Sequence, residues 1–247
     1  LQQQREEAAP SSWRSARNPA PASAEHWQEL YHPPAGASSG GDAATFSFAE
    51  EDPAALPPAD ELVAQAFSLA DRWLAVPQPS GLFLIDPHLA HWRVQADLLA
   101  QREGQAPATQ QLLYPEELSL TPEDLALGER LPAALARLGV AAAYQEKALR
   151  VSGLPSGLAA GELPGLLAEV STALHRHGEA SAELDERLRR GLSRRLAWPQ
   201  GKRLKAAERE HLLRTWRASS APLRAPNGQR VGVLIPPEAF ERWLGGG

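Results

Sequence analysis

The run Leu82-Phe83-Leu84-Ile85 constrains this chain more than any other stretch. Four apolar residues stand in a row, without polar alternation, between the breaker-rich segment Pro77-Gln78-Pro79-Ser80-Gly81 and Asp86-Pro87. A strand with one wet face alternates, so one that does not is buried on both faces and lies centrally in its sheet. Residues 72–76 read as its partner across the turn, and the pair is expected to form a β-hairpin.

Other elements follow from periodicity. Leu62, Val63, Ala66, Phe67 and Ala70 recur at helical spacing after the start signal Pro58-Ala59-Asp60. A second helix is expected over residues 88–100. Residues 111–114 read as a short strand stopped by Pro115, and as an edge strand, because proline gives no amide to a ladder. Thr121-Pro122-Glu123-Asp124 announces a helix, with threonine as cap, proline at the first position and acids on the dipole. Gly128 and Pro132 predict a break in it. Residues 140–144 and 148–152 are expected to pair as strands. Leu163, Leu166, Leu167, Val170 and Leu174 share one helical face, and Leu184, Leu188, Leu192 and Leu196 share another. The chain closes with a helix over 205–217, a loop over 219–229, a strand over 231–235 and a helix over 237–244.

The class is therefore α+β. A sheet-and-helix subdomain in two parts, 58–130 and 196–247, is expected to surround an inserted, mainly helical lobe at 131–195, with the late strand rejoining the early sheet. Residues 1–57, rich in Pro, Ala, Ser, Gln and Glu, cannot bury enough surface to offset the entropy of ordering and read as a disordered linker. The roles of Trp13, Trp27 and Tyr31 within it are left open.

Composition excludes several chemistries. A chain of 247 residues without cysteine has no disulfides, thiolate zinc sites or cysteine nucleophiles. No run of about 18 apolar residues is present to span a bilayer. Leu1, in a chain without methionine, is read as continuing from an upstream part. The net charge of -5 speaks against a chain that is basic throughout, but residues 186–217 hold eleven Lys or Arg against three Glu. That patch is either a solvated pair of helix faces or a weak, non-specific phosphate contact carried by Arg187, Arg190, Arg194, Lys202 and Arg203. No Gly-rich phosphate loop, nucleophile elbow or zinc-protease helix occurs.

The run Leu84-Ile85-Asp86-Pro87-His88-Leu89-Ala90-His91-Trp92-Arg93 resembles the signature of the C-terminal dimerisation domain of MutL mismatch-repair proteins, in which a buried strand ends in Asp-Gln-His-Ala-Ala-His-Glu-Arg. Asp86, His88, Ala90, His91 and Arg93 match. The hairpin before it and the strand-helix ending at Phe240-Glu241-Arg242-Trp243-Leu244 occur in the family's order, so the resemblance covers roughly residues 58–247. Gln110-Gln111-Leu112-Leu113-Tyr114-Pro115 is similar to the family's Gln-x-hydrophobic-Leu-x-Pro pattern. By that resemblance Gln110, Leu112, Leu113 and Pro115 dock on the replication sliding clamp.

The resemblance also shows departures. Endonuclease-bearing members carry two acids where this chain has Trp92 and Asp97. Their Ala-Cys motif appears here as Ala197-Trp198, and their Cys-Pro-His-Gly-Arg-Pro loop as Ala225-Pro226-Asn227-Gly228-Gln229-Arg230. Asp86, His88, His91, Trp92 and Asp97 therefore read as a degenerate endonuclease motif, with no catalytic residue and no metal site expected. The expected function is homodimerisation and partner docking in mismatch repair, through an apolar sheet face or helix stripe. The alternative is a cryptic metal-dependent nuclease using Asp86, His88, His91 and Asp97. The resemblance implies a second copy, the sliding clamp, MutS and, weakly, DNA as partners. It implies a cytoplasmic setting, and ATP and Mg only in an upstream ATPase part.

Overall fold

The computed structural model describes residues 56–102, 105–178 and 181–245. The expected linker lies outside the described residues except for Leu56 and Pro57, and these two do not behave as linker. Leu56 is buried, and the backbone oxygens of Leu56 and Pro57 accept hydrogen bonds from Arg217 at 3.2 and 2.9 Å. Trp13, Trp27 and Tyr31 also lie outside.

Helix α1 (Ala59–Gln65) is shorter than its apolar spacing predicts. Phe67 is pulled into strand β1 (Phe67–Leu69), which pairs with β2 (Trp73–Gln78) through a turn in which Ala70 and Asp71 take φ values of 51° and 54°. The expected hairpin then follows as β2 and β3 (Gly81–Ile85), with Gln78 opposite Gly81. Gly81 has φ 135°, and a Cβ built there would stand 2.1 Å from the Ile235 carbonyl oxygen, so glycine is required both by the turn and by the neighbouring strand. Helix α2 (Pro87–Ala100) begins immediately after β3.

The next strand departs from expectation. Strand β4 (Thr109–Ser119) runs through Pro115 instead of stopping there, and it pairs with β6 rather than with the first sheet. Its ladder is interrupted: Gln111 faces Gly153 and Glu116 faces Val151, so the four residues from Leu112 to Pro115 oppose only Ser152. Helices α3 (Pro122–Leu125) and α4 (Leu131–Ala136) are separated where Gly128 and Pro132 predict a break. Gly128 also admits the Tyr144 ring, which a Cβ would meet at 2.5 Å. Strands β5 (Ala141–Gln145) and β6 (Ala148–Pro155) form the expected hairpin. Helices α5 (Leu163–His177), α6 (Ala182–Leu196) and α7 (Ala206–Arg217), strand β7 (Gly232–Ile235) and helix α8 (Pro237–Leu244) complete the order.

Two antiparallel sheets result, β1-β2-β3-β7 and β4-β6-β5, each with its own core. In the first, Leu74, Val76, Phe83 and Ile85 form one sheet face and pack with Leu62, Trp92, Leu213 and Trp216 of the helices. In the second, Leu149 and Val151 of β6 pack with the leucine stripes of α5 and α6. The β4 ladder finds its partner in β6, and Leu99 and Leu127 already sit in the second core. The two cores meet where α2 lies along α6.

Candidate functional site

The residues of the degenerate motif lie at the start of α2 or along it, and each has a local task. Asp86 caps the helix, its Oδ1 accepting from the backbone N–H of His88 at 2.8 Å and of Leu89 at 3.2 Å. His88 Nδ1 donates to the Trp198 carbonyl oxygen at 2.6 Å. His91 Nδ1 accepts from the Trp198 N–H at 3.0 Å, and its ring stacks on the Trp198 indole at 4.1 Å and 10°. The two histidines thus grip one peptide segment by its donor and its acceptor. Accepting at Nδ1 leaves the His91 proton on Nε2, which lies 3.2 Å from the Gln95 side-chain amide; the oxygen of that amide must face the ring, since a neutral imidazole cannot accept at both nitrogens.

Burial is the first cause that lowers the pKa of His91 from 6.5 to about 4, with Lys202, His211 and His88 adding to it. Lys202 sits 4.0 Å from the centre of the Trp198 ring. Trp92 donates from Nε1 to Ser193 Oγ at 3.0 Å, bonding α2 to α6. Asp97 pairs with Arg93 and accepts from the Ser220 N–H and hydroxyl at 2.7 and 2.9 Å. Asp86 Oδ1 is engaged by backbone amides, the Nδ1 atoms of His88 and His91 are both taken by Trp198, and the indole at Trp92 has no lone pair to offer. Among the described residues no three His, Asp or Glu side chains converge as a ligand group.

The five cations of the basic patch divide. Arg187, Arg190 and Arg194 line one cleft of about 670 Å³ between α2, α5, α6 and the 225–230 loop. The other two are committed elsewhere: Lys202 bonds Glu208 at 2.8 Å, and Arg203 pairs with Asp71 at the surface.

The residues of the predicted clamp motif stay together on β4 but do not all face outward. Gln110 is exposed and pairs with Leu154 across the ladder. Leu112 packs against the second core, whereas Leu113 and the unanticipated Tyr114 project from the bulge at 86% and 79% exposure, with Pro115 exposed beside them.

Residue spacing did not identify the open face of the first sheet. Phe67, Ala75, Leu84 and Val233 form one cross-strand row, and Leu82 stands opposite Ile235. These point away from the core. Phe67 and Leu69 are exposed, Leu82, Leu84, Val233 and Ile235 are half-buried, and Ala75 between them is buried. On α8, Trp243 and Leu244 are exposed as well. The signal was present in the unbroken Leu82–Ile85 run: its two faces were both apolar, but only one meets this chain's own helices.

The fold and these surfaces define an α+β module with two sheets, one with a charged outer face and the other with an apolar one. Residues 67–204, more than half of the chain, match the family model described as the MutL C terminal dimerisation domain. A DNA mismatch repair protein MutL from Pelodictyon phaeoclathratiforme is 25% identical over 194 residues, covering 77% of this chain and 31% of that protein. One from Symbiobacterium thermophilum is 28% identical over 177 residues, 69% of this chain and 28% of its own length. One from Chlorobaculum tepidum is 26% identical over 193 residues, 76% and 31% of the two lengths. The chain belongs to the MutL C-terminal dimerisation domain family. It spans less than a third of the length of these relatives. No described helix is long and apolar enough to cross a membrane.

Proposed function

We propose that this chain joins two copies of a mismatch-repair protein through the open face of the β1-β2-β3-β7 sheet, and that it does not itself cut DNA. The carrying observation is the set of Phe67, Leu69, Leu82, Leu84, Val233 and Ile235, apolar residues on the sheet face opposite the core, of which Phe67 and Leu69 are exposed and the others half-buried. A second copy presents the same surface, and a two-fold pairing satisfies both at once. A stable pairing requires at least roughly 1,000 Å² in total. In the whole protein this module would hold together ATPase parts upstream, where ATP and Mg would act.

The absence of cutting is supported by the engagement of Asp86, His88, His91 and Asp97 in backbone and ion-pair contacts. Docking on the sliding clamp is a finer part of the same reading, with Gln110, Leu113 and Pro115 as the outward residues. Leu112 joins them only if the bulge opens, and Tyr114 enlarges the apolar tip. MutS is a further partner of the whole protein in this reading, and the cytoplasm its setting.

Equilibrium sedimentation of the chain, with and without manganese or zinc, tests the proposal. A dimer independent of metal is expected. A monomer at micromolar concentration overturns it. Manganese-dependent nicking of supercoiled plasmid that His88→Ala abolishes would overturn the non-cutting part. For the clamp, Gln110→Ala with Leu113→Ala is expected to weaken binding at least tenfold, about 1.4 kcal/mol.

A further inference from the structure

The second core is not closed where it meets the end of α2. Leu99 of α2, Leu138 just past α4, and Leu188 and Leu192 of α6 line a pocket of about 300 Å³, with Pro107 as a further wall. All four leucines are buried members of the second core. The polar part of the lining is Gln105 with three charged side chains, Arg137, Asp185 and Arg189. An apolar floor under a small number of polar groups is the usual make-up of a small-molecule site.

Two of its sides are fixed without a ligand. Gly139 takes φ 74°, and a Cβ built there would stand 2.5 Å from the Pro107 carbonyl oxygen, so the Pro107 segment lies directly on the end of α4. Thr109 secures the same contact by donating to the Gly139 carbonyl oxygen at 2.8 Å. Arg137 bonds Asp185 at 2.9 Å and so joins the end of α4 to α6.

Charge then selects among ligands. Arg189 stands four residues beyond Asp185 on the same helix face, yet Asp185 is taken by Arg137. Among the described residues no ion pair engages Arg189, which is half-buried. The lining therefore keeps one cation in excess beside an apolar floor. We propose that this pocket binds a small aliphatic carboxylate, its chain on the leucines and its carboxylate on Arg189. A guanidinium fork matches the two oxygens of a carboxylate. One uncompensated cation suits a single negative charge better than the nearly double charge of a phosphate monoester. An apolar cavity of about 150 Å³ takes benzene, so one of twice that volume admits a ligand of about ten heavy atoms.

Titration of the whole chain with octanoate, followed by ligand-observed NMR and by the thermal midpoint, tests this. Saturable binding in about the millimolar range is expected for a ligand of that size. The midpoint should rise with octanoate concentration. Octanol, with the same chain and no charge, should bind more than about tenfold more weakly, and so should octanoate to the Arg189→Glu variant. Arg187→Glu, an exposed site on α6 outside the pocket, should change affinity less than about twofold. Arg189→Gln, which removes the charge without reversing it, should lose binding as well and keeps the test decisive if the glutamate variant fails to fold. No saturation, octanol that binds as tightly as octanoate, or equal losses at Arg187 and Arg189 overturns the proposal. N-acetylleucine distinguishes the source: tighter binding than octanoate assigns the pocket to the carboxyl-terminal residue of a peptide, and weaker binding assigns it to a free alkyl acid.

Discussion

The two sheets of this molecule solve the same burial problem differently. In β4-β6-β5, Tyr144, Leu149 and Leu118 form a cross-strand row facing the helices, and the neighbouring row on the other face holds Ala143, Arg150 and Glu117. That outer face is finished with charge. In β1-β2-β3-β7 the corresponding outer row is Phe67, Ala75, Leu84 and Val233, with no charge in it. One sheet ends in a charged outer face, and the other in an apolar one, which in the proposed pairing meets a second copy. The difference lies in the outward residues alone, because both inward faces are built from the same kind of aliphatic packing.

The largest expected effect comes from making the first sheet like the second. Leu84→Glu places a charge at the centre of the open face and should dissociate the dimer, at a cost of about 3–5 kcal/mol or more than a hundredfold in dissociation constant. Sedimentation reads this directly, and a variant that remains dimeric breaks the comparison. The reverse exchange, Glu117→Leu, should leave the association state unchanged.

Leu149→Ala, in the second core, should cost about 2–5 kcal/mol of folding stability without changing the dimer, seen as a lower denaturant midpoint. Loss of association in that variant would show that the two sheets are not independent in this respect. A smaller effect is expected from pH. His91 has a folded-state pKa of about 4 against 6.5 ordinarily, so the unfolded chain binds the extra proton between those values. Its contribution is full above pH 6.5 and is lost as pH falls towards 4, by roughly 2 kcal/mol once partial solvent screening is allowed for. A His91→Phe variant should lose that slope, whereas an unchanged slope would assign it to other groups. Smallest of all, Gln110→Ala with Leu113→Ala should shift stability by no more than about 0.5 kcal/mol, because both side chains are exposed.

What the sequence made legible was what local period controls. The β2-β3 hairpin, the β5-β6 hairpin, the stripes of α5 and α6, and the α8 start at Pro237 could all be read from neighbouring residues. Strand β1 could not. Phe67 continues the helical spacing of Leu62 and Val63, and its capture by Ala75 of β2 is a tertiary choice; the turn at Ala70 and Asp71 carries no glycine or asparagine to announce it. The length of β4 was hidden by Pro115, which reads as a stop but sits in a bulge where no amide is needed. The identities of the site residues were visible, but their tasks were not. His88 meets Trp198 across 110 positions of sequence, and Trp92 meets Ser193 across 101. The arginines stood out as a charge run, but only folding showed which three share a cleft and which two are bound elsewhere.

The interruption in β4 has a further consequence, for the solubility of the chain. An uninterrupted edge strand offers a row of free amides and carbonyls on which other chains can stack into fibrils. From Leu112 to Pro115 the β4 backbone leaves the ladder, and Pro115 has no N–H to donate. An incoming strand would find its register broken midway along the edge. The distortion that thrusts Leu113 and Tyr114 into solvent therefore also guards the sheet against indiscriminate growth.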